Sequence, residues 1–262
     1  MKILFTGGGS GGHFYPIIAV AQAITKRAKE RKILNPSLHY MAPSKYNPRA
    51  LFDNDIEFIS VPAGKVRRYF SLLNITDAFK TVYGCLLALI KMYSLYPDVV
   101  FGKGGYASFP AIFAARILRI PVVIHESDSI PGRVNLWAGK FAERVALSYP
   151  DAAKYFKKET IALTGNPIRK DLSVALTTNA HEFLHLDPSI PTIFIIGGSL
   201  GSQTINEVVT EALPTLLKDY QVIHQTGKRN IADVRQIVDA VLLNNPHKDQ
   251  SLIHISEPTR LR

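Results

Sequence analysis

The sequence predicts an α/β protein built from two successive Rossmann-like units with parallel sheets, the second of them incomplete. Three observations predict it. Short apolar runs alternate with stretches of helical spacing, a strand, glycine loop and helix open the chain, and the same triplet returns after residue 190. Strands that alternate with helices pair in parallel, because each crossover helix carries the chain back to start the next strand in the same direction.

Lys2 to Thr6 reads as a buried strand ending in Gly7-Gly8-Gly9-Ser10-Gly11-Gly12, and Pro16 to Lys32 places Ile17, Val20, Ala21 and Ile24 on one helix face. Met1 leads directly into that strand, so the expectation is a chain without a signal peptide. Apolar runs follow at Leu38–Met41, Phe58–Val61, Val99–Phe101, Val122–His125 and Val145–Leu147, with helices at Ala111–Leu118 and Asn135–Phe141. Val82–Leu95 reads as too short and interrupted to span a bilayer, and its Leu86–Ile90 part as a core helix. Lys65, Arg67 and Arg68, ahead of Tyr69–Leu73, form the better candidate for contact with an anionic membrane surface.

Gly165-Asn166-Pro167, the polar Thr177-Thr178-Asn179 and Pro188 and Pro191 interrupt the alternation. The expected organisation is a first domain over 1–164, a linker over 165–190 and a partial second domain over 191–250. In that domain Thr192–Ile196 is a strand, Gly197-Gly198-Ser199-Leu200-Gly201 a second glycine loop and Gln203–Leu217 a helix; Tyr220–His224 and Ile231–Leu243 add a strand and a helix. Ser251–Arg260 resembles the translation of a transposase adapter used in DNA library preparation, so residues 251–262 read as a non-native tail, with a genuine short strand as the alternative.

The 262 residues carry 31 Lys and Arg against 21 Asp and Glu, a net charge of +10, which favours an anionic partner. Nucleic acid is the weakest choice, because no interleaving of aromatic and basic residues marks a binding surface. The single cysteine, Cys85, permits no internal disulfide and suits a reducing, cytoplasmic compartment.

Gly7-x-Gly9-x-x-Gly12 fits a phosphate-binding turn, in which backbone N–H groups and a helix start approach an anion. A nicotinamide enzyme would add a carboxylate after the second strand, where this chain has His39-Tyr40-Met41-Ala42-Pro43. His13 follows the loop at a helix start, where the positive end of the dipole favours a neutral imidazole, as a general base requires. The bland alternative is a histidine bonded to backbone. His181-Glu182-Phe183-Leu184-His185 matches a zinc-protease pattern but is a short piece before Pro188 with no third ligand, and reads as a solvated helix face.

Six motifs in order, Gly7–His13, Gly102-Lys103-Gly104-Gly105-Tyr106, His125-Glu126-Ser127-Asp128, Gly165-Asn166-Pro167-Ile168-Arg169, Gly197–Ser202 and His224-Gln225-Thr226-Gly227-Lys228, resemble the MurG family from Met1 to about Leu243. The resemblance implies a two-domain GT-B fold and inverting transfer of N-acetylglucosamine from UDP-N-acetylglucosamine to the C4 hydroxyl of lipid I, the undecaprenyl-diphosphoryl MurNAc-pentapeptide. It implies a peripheral enzyme on the cytoplasmic face of the membrane, with no obligatory cofactor or metal and no nucleic-acid partner. Carried across, His13 and Glu126 are the catalytic candidates. Ser10, Gly11 and Gly12 lie at the donor cleft, Arg169 and Ser199 contact the donor, and Tyr106 shapes the acceptor side. Where the family has asparagine after His-Glu-Gln, this chain has Ser127-Asp128; an anionic side chain there would repel the donor diphosphate unless it contacts sugar hydroxyls instead, and Asp128 is counted with the substrate-binding candidates. The family's uracil-holding segment is absent. The alternatives are another GT-B lipid glycosyltransferase or an inactive fragment that binds membrane or diphosphate.

Overall fold

The computed structural model describes residues 1–65, 73–172, 181–198 and 201–247, and the backbone of Ser251–His254. The chain divides into two compact units, Met1–Val174 and Ala175–Arg262.

The first unit contains β1 (Lys2–Thr6), α1 (Gly11–Glu30), β2 (Ser37–Ala42), α2 (Pro48–Phe52), β3 (Ile56–Ser60) and α3 (Leu73–Leu95). It continues with β4 (Val99–Gly102), α4 (Phe109–Ile117), β5 (Val122–Glu126), α5 (Arg133–Ala138), β6 (Arg144–Leu147) and β7 (Ile161–Leu163). All seven strands are parallel, in the order β3-β2-β1-β4-β5-β6-β7. β7 has no counterpart in the sequence reading, because three residues are too few to show a period.

The strand order reverses at β1, so α1 and α4, which follow β1 and β4, cover opposite faces of the sheet, and the carboxyl ends of these two strands mark its topological switch point, where ligands of open parallel sheets bind. Alternation along the strands divides the core in two. Ile3, Phe5, Leu38 and Tyr40 pack with Phe14, Ile17 and Ile18 of α1, whereas Leu4, Met41, Val100 and Ile124 pack with Ala88 and Met92 of α3 and Ala111, Ile112 and Ala115 of α4. Each face is thereby sealed by helices, as a parallel sheet requires.

α1 starts at Gly11, five residues earlier than the periodicity suggests, and contains Pro16. A proline early in a helix forfeits one backbone hydrogen bond while the turn before it is held by the Ser10 carbonyl, which accepts from the amides of His13 and Phe14 at 3.2 Å each. His13 thus belongs to the first helical turn.

α3 corrects two expectations. It is one continuous helix of 23 residues, long and apolar enough by length and composition to cross a membrane. What ties it to the sheet is a narrow buried stripe, Asp77, Gly84, Cys85, Ala88 and Met92. Gly84 approaches so closely that a Cβ there would overlap the Pro62 carbonyl oxygen. Leu86 and Ile90 are not core residues. With Phe79, Tyr83 and Tyr93 they line the opposite face at spacings of three and four, and Phe79 is 73%, Ile90 69% and Tyr93 72% exposed. Leu87 and Leu89 between them do pack against the core, with Ala88 and Met92, so the helix is apolar on both faces.

The first unit also extends further than the motif boundary at Gly165. The Gly165 amide donates to the Leu147 carbonyl at 3.2 Å, Ser148 Oγ donates to Asn166 Oδ1 at 2.7 Å, and the Lys170 amide donates to Gln22 Oε1 at 3.2 Å. The Gly-Asn-Pro segment therefore finishes the first unit rather than opening a linker.

The second unit has β8 (Thr192–Ile196), α6 (Gln203–Leu216), β9 (Gln221–Gln225), α7 (Ile231–Val241) and β10 (Ser251–His254), with three parallel strands in the order β10-β9-β8. Val209, Leu213, Val222, Val234 and Val238 form its core. The backbone of Ser251–His254, expected to be a tail, pairs with Val222–Gln225 as the third strand. The glycine loop after β8 closes on the loop after β9. Gly201, at φ +74°, lies against the Thr226 carbonyl, which also accepts from Asn206 Nδ2 at 3.1 Å and Asn230 Nδ2 at 3.0 Å. Ser202 caps α6 through its hydroxyl, 3.5 Å from the Ile205 amide.

Candidate active site

The switch point at the carboxyl ends of β1, β4 and β5 gathers most of the residues singled out in the sequence. Its floor is fixed first. The Lys103 amide donates to the Thr6 carbonyl at 2.8 Å, continuing the β1–β4 pairing into the loops. From β2, Tyr40 Oη donates to the Gly7 carbonyl at 2.6 Å. Burial pushes the Tyr40 phenol well above its ordinary range, so it stays a donor.

Two glycines are there for space as well as conformation. Gly9, at φ +90°, would put a Cβ 2.8 Å from the Tyr106 ring, and Gly105, at φ +79°, would put one 3.1 Å from the His13 ring and 3.0 Å from the Gly8 carbonyl. The two loops therefore interlock, with Tyr106 seated on the first and His13 facing the second.

His13 is half-buried. Burial and then the positive charge of Lys103 hold its imidazole below the ordinary histidine range, against the opposing pull of the Lys103 carbonyl, Asp128 and Glu126. Its Nδ1 is buried without a hydrogen-bond partner among the described residues. An unprotonated imidazole can accept a proton.

Glu126 departs from the expected catalytic role. It is 4% exposed. Its Oε1 accepts from the amides of Ser127 at 2.8 Å and Asp128 at 3.0 Å, while Oε2 accepts from the Gly132 amide and from Asn135 Nδ2, both at 3.0 Å. Four donors occupy the carboxylate, so it organises the loop after β5 rather than facing a substrate. Asn135 also donates to the His125 carbonyl at 3.1 Å, and His125 Nε2 lies 3.1 Å from the Gly165 carbonyl, tying the Gly-Asn-Pro segment to the same network.

Among the remaining candidates, Ser10, Gly11 and Gly12 form the turn into α1, and Asp128 is exposed at the tip of the β5 loop. Tyr106 carries Lys65 Nζ 5.4 Å above its ring. Arg169 stacks 4.2 Å over the Tyr15 ring of α1, with Asp171 3.6 Å from its Nε. Ser199 lies outside the described residues. Gly198, at φ +82°, has no atom within 4 Å of its Cβ position, so the second glycine loop is open there. His181 is half-buried and His185 exposed. Asp53-Asn54-Asp55 satisfies the Asp-x-Asp spacing of some metal sites, but it precedes β3 at the opposite, amino end of the sheet, and Asp53 pairs with Arg49 at 3.6 Å.

Sequence reasoning missed Lys103 as a functional residue, although it stands in a quoted motif, and missed Asn135 and Tyr40. The signal for Lys103 was a lysine directly after a buried strand and between glycines. Nothing local marked Asn135, whose partner is nine residues away in sequence.

Residues 3–147 match the family model described as the glycosyltransferase family 28 N-terminal domain, and residues 192–251 match its C-terminal domain. The chain is 39% identical over 236 residues, 90% of its length, to "UDP-N-acetylglucosamine--N-acetylmuramyl-(pentapeptide) pyrophosphoryl-undecaprenol N-acetylglucosamine transferase 3" of Bacillus thuringiensis (strain Al Hakam), and spans 65% of that relative. It is 36% identical over 251 residues to the transferase of the same description, without the number, from Clostridium novyi (strain NT), covering 95% of this chain and 68% of that one. Among solved structures, Acinetobacter baumannii MurG superimposes with a TM-score of 0.60 at 24% identity, covering 97% of this chain and 65% of that one. The UDP-GlcNAc 2-epimerase from Neisseria meningitidis bound to UDP-GlcNAc gives 0.64 at 16% identity, covering 97% and 72%. These likenesses show the GT-B fold, which transferases and epimerases share.

Proposed function

The chain belongs to glycosyltransferase family 28, and from that premise we propose that the protein transfers N-acetylglucosamine, with inversion, from UDP-N-acetylglucosamine to the C4 hydroxyl of lipid I. The observation that carries this reading is His13, in the first turn of α1 against Gly105 at the β1–β4 switch point, with its pKa lowered by burial and the Lys103 charge. As the acceptor C4 oxygen bonds to the sugar C1, the bond from C1 to the UDP oxygen breaks. The hydroxyl proton passes to His13 and the electron pair leaves with UDP. A base on one face and an anion site on the other are what inversion requires.

In this proposal Arg169 meets the charge of the departing diphosphate, so no metal or other cofactor is needed. Ser10–Gly12 wall the donor side and Tyr106 the acceptor side. The deciding assay is passage of labelled N-acetylglucosamine from the UDP donor to purified lipid I by the full-length protein. Labelled disaccharide lipid is expected. Conversion of the donor to UDP-N-acetylmannosamine instead, without transfer, would replace this reading by epimerase chemistry.

The protein works at the cytoplasmic face of the membrane without spanning it. The support is α3, whose outward face carries Phe79, Tyr83, Leu86, Ile90 and Tyr93 while its inward stripe is occupied by the sheet. Residues 66–72, which include the expected Arg67 and Arg68, lie outside the described residues, and the net charge of +10 favours an anionic leaflet. The expected result in vesicle sedimentation is binding to anionic but weakly to neutral vesicles, with Ile90→Glu reducing the partition coefficient about tenfold. Unchanged partitioning of that variant would move the membrane contact off α3.

A further inference from the structure

Among the described residues six other than glycine hold a left-handed backbone, and five of them, Lys32, Asp55, Tyr96, Arg119 and His185, follow helical segments, where such a residue ends the helix. Tyr46 does not. It precedes α2, at φ +52°, as the central residue of a three-residue turn in which the Asn47 amide donates to the Lys45 carbonyl at 2.6 Å. A bulky side chain is rare on such a backbone, and a turn of this kind at positive φ is strained. Burial of the ring does not offset that strain in full, since Tyr46 remains 44% exposed. Strain of this sort persists where the side chain it presents has a use.

What the turn presents is an aromatic ring beside the first glycine loop. The Tyr46 ring packs on Phe14, 5.1 Å away at a 35° tilt, and meets Tyr15 nearly at right angles, 5.9 Å between centroids. A Cβ at Gly11 would lie 3.0 Å from the Tyr46 hydroxyl and 3.4 Å from the Tyr15 ring, so glycine there leaves room for both. Asn47 fixes the array: its Oδ1 accepts from the Ala50 amide at 3.1 Å, and its Nδ2 donates to Tyr15 Oη at 3.4 Å. With Arg169 stacked 4.2 Å over Tyr15, an exposed ring and a guanidinium flank Tyr15 at the turn into α1.

We propose that Tyr46 is a specificity-determining residue of the transfer site, where it packs against the ring of an N-acetylhexosamine 1-diphosphate whose phosphate meets Arg169. The C–H face of a pyranose matches an exposed aromatic face, and the diphosphate on its anomeric carbon matches the neighbouring cation. The inference deepens the transferase reading and rests on it for the class of ligand. Both substrates of that reaction, UDP-N-acetylglucosamine and lipid I, carry this group.

Calorimetric titration of the full-length protein with UDP-N-acetylglucosamine, with UDP and with a short-chain lipid I, each alone, tests the proposal without turnover. Tyr46→Gly relieves the backbone and removes the ring. It is expected to fold and to bind one of the two sugar ligands about tenfold more weakly, with UDP within about twofold of wild type. A loss for UDP-N-acetylglucosamine places the donor sugar on the ring, and a loss for lipid I the acceptor sugar; either upholds the proposal. Tyr46→Phe keeps the ring and should hold both ligands within about twofold of wild type. A loss as large as that of Tyr46→Gly would assign the effect to the hydroxyl and overturn it. Unchanged affinity of Tyr46→Gly for both sugar ligands overturns it too, as does an equal loss for UDP, which would put the nucleotide on the ring, or a wild type that binds neither sugar ligand. Should Tyr46→Gly not fold, Tyr46→Asn, which tolerates the same backbone, decides by the same outcomes. If the ring-dependent affinity is found while no N-acetylglucosamine passes to lipid I, the sugar site stands and the transferase reading falls. Transfer with unchanged affinities leaves that reading in place and removes the site.

Discussion

Replacing His13 by alanine is expected to lower kcat by about two to four orders of magnitude while the donor KM changes by less than about threefold. The argument runs from position to proton. The ring sits in the first turn of α1, packed against Gly105, and burial followed by the Lys103 charge keeps it neutral. A group that acts only as the acceptor hydroxyl ionises contributes to the transition state and not to donor binding, so its loss falls on kcat. The pH profile gives an independent check. With a depressed histidine, the active unprotonated form persists below pH 6.5, and the acidic limb of kcat/KM should bend at a pH below that value. Steady-state kinetics of the full-length protein with varied UDP-N-acetylglucosamine would measure both. A KM increase that matches the kcat loss would make His13 a binding residue.

How much of this was legible in the sequence depends on the range of the interaction concerned. The parallel alternation, both glycine loops and the placing of His13 at a helix start rest on neighbours within a few residues, and a period or a motif reveals them. The outward face of α3 was misjudged because Leu86 and Ile90 belong to an apolar run whose other members, Leu87, Ala88 and Leu89, do pack on the core, so hydropathy does not separate the two faces. Only the close approach marked by Gly84 shows which face turns to the sheet. The extent of the first unit was hidden for a related reason: proline and glycine at 165–167 signal a turn equally well inside a unit or between two. The contacts that decide it reach back to Leu147, His125 and Gln22. Charge balance was the least legible. Asp128 looked like a liability beside an anionic substrate because nothing in the local sequence shows that Lys103, twenty-five residues earlier, is buried beside the same loop.

Glu126 provides the second large effect, and it separates organising a loop from taking part in chemistry. Truncation to alanine removes the acceptor for four donors, the amides of Ser127, Asp128 and Gly132 and Asn135 Nδ2, and leaves buried Lys103 with one carboxylate fewer. Loss of four hydrogen bonds to a buried carboxylate, one of them from buried Asn135, gives an expected loss of about 3–5 kcal/mol. For a unit of this size that corresponds to a fall in Tm of roughly 6–20 °C. Glutamine is not a conservative substitute here. Each carboxylate oxygen faces two donors, so the amide NH2 must oppose one of the pairs, and Glu126→Gln should still cost about 2 kcal/mol or more. Thermal and urea unfolding of both variants measure the effect, with His13 ring titration reporting on the loop. If Glu126→Ala unfolded within about 1 kcal/mol of wild type while transfer was abolished, the carboxylate would be acting on substrate. The four hydrogen bonds predict the opposite order: the loop gives way first, and activity is lost with it.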